Sequence, residues 1–112
     1  MTMEELRAAN HERHVEWANG AEVPLAFRGL ELAGEAGEAC NELKKLERLR
    51  LGMVGGKSEL QGITEELADV IVCVDLIAMD LGIDMAQAVR AKFNKTSEKY
   101  GLATRLPAVD DS

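Results

Sequence analysis

Apolar residues recur along this chain at steps of three and four, the spacing that keeps them on one face of an α-helix. Four such stretches can be read. The first starts at Thr2, whose hydroxyl can cap a helix with Glu4 and Glu5 in its first turn, and runs to about Asn19, with Gly20 beyond its end. Pro24 suits a helix start, and Leu25, Leu32, Ala36, Ala39, Leu43 and Leu46 keep the helical step up to about Arg50. Gly52, Gly55, Gly56 and Gly62 mark the one clear loop. A third stripe, Ile63, Leu67, Val70, Ile71, Val74, Ile77 and Leu81, ends at Gly82. Asp84 can then cap a fourth helix that turns Met85, Val89 and Phe93 inward and reaches about Lys99. The pattern predicts an all-α fold, a four-helix up-and-down bundle formed by a single domain over residues 1–106, with a flexible tail at 107–112. Helices apolar on more than one side leave surplus surface on so short a chain, so a homo-oligomer is expected.

Composition narrows the partners. The 112 residues suffice for one domain, and the 4% of aromatics and two prolines favour helix over strand. A formal charge of −7 repels phosphate polymers, which argues against a nucleic acid as the main partner. The longest apolar run, Val70 to Met79, is broken by Asp75 and falls short of the roughly 20 residues a membrane span needs. Met1 to His14 carries no apolar signal-peptide core, so a soluble, cytoplasmic protein without a membrane partner is expected. Cys40 and Cys73 have no CxxC spacing and are expected to be reduced, half-buried thiols.

The acidic residues carry the chemistry. At about 100° per residue, Glu31, Glu35, Glu38 and Glu42 fall within a sector of roughly 60° on the second helix, beside the Leu32, Ala36, Ala39, Leu43 face. Glu66 and Asp69 share a sector of the third helix with Val70, Cys73 and Ile77. Acids crowded at the edge of a core repel one another by several kcal/mol unless something positive compensates them. A hard divalent cation does so naturally: carboxylates at i and i+3 can grip one ion, and Mg²⁺ keeps positions open for water and phosphate oxygens. A solvated charged face is the plainer alternative. A di-iron carboxylate bundle needs Glu-x-x-His pairs, and the only histidines, His11 and His14, both lie in the first helix. No GxxxxGK[ST] loop is present, and no Ser/His/Asp or Cys/His constellation competes.

The segments Leu32-Ala-Gly-Glu-Ala-Gly-Glu-Ala39 and Glu65-Glu-Leu-Ala-Asp-Val70 resemble the metal motif of the MazG-like all-α nucleoside triphosphate pyrophosphohydrolases, an ExxE and an ExxD about thirty residues apart. The likeness extends over Leu81-Gly-Ile-Asp-Met85 and Lys99-Tyr-Gly101 and back to Trp17, most of the chain. The resemblance implies hydrolysis of a (deoxy)nucleoside triphosphate to the monophosphate and pyrophosphate, with Mg²⁺ required and Mn²⁺ able to substitute. It implies Glu35, Glu38, Glu66 and Asp69 as metal ligands, and a four-helix bundle working as a dimer or tetramer. Many members have Glu where this chain has Gly34, and Glu31, one turn earlier on the same face, is the stand-in. The general look is similar to small phage and bacterial members, among them the phage MazZ-type branch acting on dGTP and GTP, which makes guanine nucleotides the first expectation.

The residues suit that chemistry independently, because phosphoryl-type transfer asks a protein chiefly for positioning and charge stabilisation. Glu31 or Glu38 could take the proton from the attacking water. Leu6, Asn10, His14 and Trp17 share one stripe of the first helix. Trp17 is read as a stacking surface for the base, as in the resembling family, or as a packing residue, and His14 as a hydrogen-bonding group of the pocket. Lys44, Lys45, Arg48 and Arg50, followed by Lys57, form a basic cluster. From it Lys44 and Arg48 are candidates for holding the triphosphate, with ordinary pairing to a helix C-terminus as the alternative. Lys92 and Lys95 on the fourth helix are similar candidates, Lys92 the better one. Asp75 lies opposite the Glu66, Asp69 face in a row of small residues, and is read as an acceptor for a guanine or else as a salt-bridged acid. Two further functions stay open: a non-catalytic helical oligomer that binds a divalent ion or a protein partner, and phosphoribosyl-ATP hydrolysis on the same metal site.

Overall fold

The computed structural model describes residues 1–56 and 60–108. Within them lie four α-helices and no strand: α1 (Met3–Ala18), α2 (Leu25–Arg50), α3 (Leu60–Leu81) and α4 (Met85–Lys99). The all-α reading holds, with α3 beginning one turn before Ile63. Lys57 and residues 109–112 of the expected tail lie outside the described residues.

Local chemistry sets the helix ends. Thr2 and Glu5 form a reciprocal capping box, the Thr2 hydroxyl accepting from the Glu5 N–H and the Glu5 carboxylate from the Thr2 N–H. Asp84 caps α4 by accepting from Gln87 N–H at 3.1 Å. Between α3 and α4 the chain reverses at Gly82, whose φ of 69° lets Ile83 N–H return to Ala78 O at 2.8 Å. Beyond α4 the chain folds back, and Asn94 clamps it by donating to Leu106 O at 3.1 Å and accepting from Leu106 N–H at 2.7 Å.

Helices α2 and α3 run antiparallel. Arg28, near the start of α2, meets Asp80, near the end of α3, while Glu42 faces Gly62 in the first turn of α3. A Cβ at Gly62 would stand 3.0 Å from Glu42 Oε2, so a larger residue there would push the Glu42 carboxylate aside. Helix α1 lies against α3, fastened by Arg7 and Asn10. Among the described residues the buried apolar ones are few, Ala39, Ile63, Cys73 and Ala78. Helix α4 touches the other three only sparsely.

In consequence much of what the periodicity marks as inward stays in water: Leu25, Leu43, Leu67, Ile71, Val89 and Phe93 are all exposed. A folded monomer of this mass is expected to expose about 6,100 Å² with a radius of gyration near 13 Å. The chain exposes 8406 Å² and its radius of gyration is 17.5 Å. Cys73 is buried, but Cys40 is exposed rather than half-buried, since it falls on the outer side of α2 next to buried Ala39. No described helix is long and apolar enough to cross a membrane.

Candidate active site

Helix α2 delivers Glu31, Glu35 and Glu38 to the side that meets α3, and α3 delivers Glu66 to the same spot. One carboxylate oxygen from each of Glu35, Glu38 and Glu66 falls within 4.8 Å of the others. Among the described residues no lysine or arginine pairs with any of the three. Glu35 Oε2 and Glu66 Oε2 are buried without a hydrogen-bond partner, as is Glu31 Oε1 one turn away. Loss of water, then a proton shared with Glu35 and Glu38 and the charges of both, pushes the Glu66 carboxyl up to about 7. Cys73 lies beneath this row. Burial raises its thiol, and Glu31, Glu35 and Asp69 raise it further; Asp69, one turn from both Glu66 and Cys73 on α3, is exposed and outside the tight trio.

The donor set fits a hard divalent cation. It is all carboxylate oxygen, it is convergent, and its buried atoms lack the hydrogen bonds that such atoms in proteins ordinarily have. Glu42, the fourth acid of the column, stands apart, paired with Lys45 at 3.2 Å and leaning on Gly62.

A cavity of about 390 Å³ opens beside the row, between α1 and the first turns of α2. Glu31 belongs to both, since it also lines the cavity together with His14, Trp17, Phe27 and Arg28. Trp17 is 78% exposed and takes no part in the core of the chain; its ring stands at the rim with the Arg13 guanidinium 5.7 Å from its centre. His14 is half-buried and accepts a hydrogen bond at Nδ1 from Arg28 at 3.1 Å.

Other expected site residues are not brought to the carboxylates. Lys44 is exposed, Arg48 lies under the loop at Gly55, and Lys92 is exposed on the outlying α4. The reading of Asp75 as a guanine acceptor is corrected. Asp75 is 1% exposed, and Arg7 grips both of its oxygens, with Nε 3.2 Å from each and Nη2 3.0 Å from Oδ1. Asn10 Nδ2 donates to Oδ2 at 3.0 Å, so no lone pair faces a ligand without that network breaking. The salt-bridged alternative describes it.

Sequence reasoning missed Arg28, which is 5% exposed and joins α1, α2 and α3 at the cavity floor. A signal was available. Arg28 keeps helical register with Leu32, Glu35 and Ala39, and an arginine on the inner face of a helix needs partners that only the fold supplies.

A family model, described as MazG-like, matches residues 38–106, more than half of the chain, and contains Glu38, Glu66 and Asp69. Neither the curated proteins nor the solved structures compared with the chain give a match. Members of the matched family are generally nucleoside triphosphate pyrophosphohydrolases and typically use divalent metals. By the extent of the match, and with the acidic cluster formed across α2 and α3, this chain belongs to the MazG-like family.

Proposed function

We propose that this chain is a divalent-metal-dependent nucleoside triphosphate pyrophosphohydrolase that converts a (d)NTP and water to the (d)NMP and pyrophosphate, with dGTP and GTP its preferred substrates. The observation that carries the reading is the trio of Glu35, Glu38 and Glu66, crowded within 4.8 Å with buried oxygens left unbonded. Those three, with Asp69 at the rim, would hold Mg²⁺, or Mn²⁺ in its stead. Bound there, the metal supplies positive charge for the phosphate oxygens and the departing pyrophosphate.

The remaining work falls to the side chains. The cavity volume lies within the range of small-molecule sites, and Trp17 offers an open aromatic face on which a base can stack. A nucleoside in the cavity directs its phosphates past Glu31 toward the trio. Glu31, outside the trio and with Oε1 lacking a hydrogen bond though 3.6 Å from Arg28 Nη1, takes the proton from the attacking water, with Glu38 the other candidate. His14 hydrogen-bonds the nucleoside. Lys44, Arg48 and Lys92 would supply further charge to the triphosphate only in an assembly that brings them close.

Such an assembly is part of the proposal. The chain exposes about 2,300 Å² more than a monomer of its mass should, nearly three times the roughly 800 Å² that each partner gives to an ordinary interface. The chain therefore works as a homo-oligomer, a dimer or tetramer, that covers α4. Sedimentation at micromolar concentration should give a mass at least twice that of the chain, and a monomer would remove this part of the proposal.

Activity is tested by pyrophosphate release from the eight common ribo- and deoxynucleoside triphosphates with Mg²⁺ or Mn²⁺, in the native chain and in Glu38→Gln. Metal-dependent release that is lost in the variant is expected. Release from none of them with either metal would overturn the reading, and phosphoribosyl-ATP would be the next compound to try.

A further inference from the structure

One guanidinium connects the cavity to the acidic row. Arg28 Nε donates to Asp80 Oδ2 at 3.0 Å, Nη2 donates to His14 Nδ1 at 3.1 Å, and Nη1 stands 3.6 Å from Glu31 Oε1. Asp80 thus anchors the group from α3 while its two outer nitrogens reach one residue of α1 and one of α2. A guanidinium has five N–H donors, no acceptor, and does not give up its proton. His14 Nδ1 must therefore accept, and an imidazole that accepts at Nδ1 carries its proton on Nε2. Among the described residues Nε2 has no hydrogen-bond partner, and His14 lines the cavity.

We propose that Arg28 is a positioning residue that fixes His14 in its Nε2–H tautomer, so that the cavity presents a donor and selects nucleobases bearing a carbonyl oxygen over those bearing an amino group at the matching position. The choice of ligand rests on the hydrolase reading above; the choice of tautomer does not. Guanine, thymine and uracil offer an acceptor at that position. Adenine and cytosine offer an amino group whose N–H would face the imidazole N–H, leaving two donors opposed in a half-buried site. A site built to hydrogen-bond one group rejects an analogue that cannot complete the bond.

The tautomer is tested directly by long-range nitrogen-edited NMR of the imidazoles, with His11 and His14 told apart by His14→Asn. At a pH where the rings are neutral, His14 should show a protonated Nε2 and a bare Nδ1. Arg28→Met should release both tautomers, and Arg28→Lys, which keeps a donor, should restore the native one in part. An Nδ1–H ring in the native chain would overturn the proposal. Should the Arg28 variants fail to fold, His14→Asn still decides, since asparagine reaches only the Nδ1 position and leaves no group at Nε2. In the native chain, kcat/KM should favour dGTP over dATP and dTTP over dCTP by about tenfold or more. In His14→Asn the ratios should fall toward one, through KM rather than kcat. Equal kcat/KM for the paired bases in the native chain would defeat base selection. No turnover of any nucleotide would defeat base selection together with the hydrolase reading, and the NMR would still rule on Arg28 and His14.

Discussion

Helix α3 carries two acids drawn out of water on its two sides, Asp75 toward α1 and Glu66 toward α2, and the protein treats them in opposite ways. Asp75 is supplied with everything a buried carboxylate needs: a two-pronged arginine and an asparagine amide, all from α1. Glu66 is supplied with two more carboxylates. A fold that can complete one acid so fully from the neighbouring helix does not leave the other bare for want of means. The contrast separates an acid completed by its neighbours from acids left facing one another. It also shows why carboxylate burial alone is a poor sign of function.

Removal of Asp75 should give the largest effect. Asp75→Ala leaves Arg7 and Asn10 facing a gap, and breaking a buried pair from one side costs about 3–5 kcal/mol. Set against the roughly 5–15 kcal/mol that holds a domain together, this should lower the denaturation midpoint markedly. Replacing both partners by apolar side chains, as in Arg7→Met with Asp75→Leu, should recover most of the loss. Chemical denaturation of the three proteins measures it. A double variant as unstable as the single one would show that the pair does more than hold α1 to α3.

The acidic trio should behave in reverse. Glu38→Gln should lower pyrophosphate release by more than the roughly 100-fold that loss of an outer partner of a metal ligand costs. Its thermal midpoint without metal should be unchanged or raised, because one of three mutually repelling charges is gone. Activity assays and thermal scans on one preparation would show both. A variant that lost activity and stability together would place Glu38 with Asp75 among the cohesive acids.

These two regions also differ in how far the sequence discloses them. Helical period puts Glu35 and Glu38 on one face of α2 and Glu66 on one face of α3, and the family resemblance supplies the expectation that the two faces meet, as they do in the antiparallel packing of the helices. The capping residues Thr2 and Asp84 and the reversal at Gly82 are equally local, and they are read with little error. Arg7, Asn10 and Arg28 belong to another kind. Each acts across helices, Arg7 reaching Asp75 and Ile83 O, Arg28 reaching Asp80 and His14, and no spacing within one helix announces such a bond. The apolar stripe of α4 is legible as a stripe, but helical period does not say whether a stripe is covered, so the sequence marks Val89 and Phe93 as inward while the fold leaves them exposed.

The smallest of the expected effects lies in the response to pH, and it sharpens the comparison most directly. Without metal, the folded chain holds a proton on Glu66 up to about 7, against an ordinary value of 4.5. A group whose pKa is raised by folding binds its proton more tightly in the folded state, so its contribution to stability is complete below about 4.5 and is lost as the pH climbs through about 7. In chelator, the thermal midpoint of the native chain should therefore fall across this window relative to Glu66→Gln, which has no proton to lose. Added Mg²⁺ or Mn²⁺ should abolish the fall, since a cation takes the place of the proton among Glu35, Glu38 and Glu66 and binds best where they are ionised. Parallel curves for the native chain and Glu66→Gln in chelator would mean that the trio holds no proton and is less crowded in solution than its geometry requires. A fall that persisted undiminished in the presence of metal would mean that the cation does not enter the trio, and the acids on this side of α3 would then lack the completion that Asp75 receives on the other.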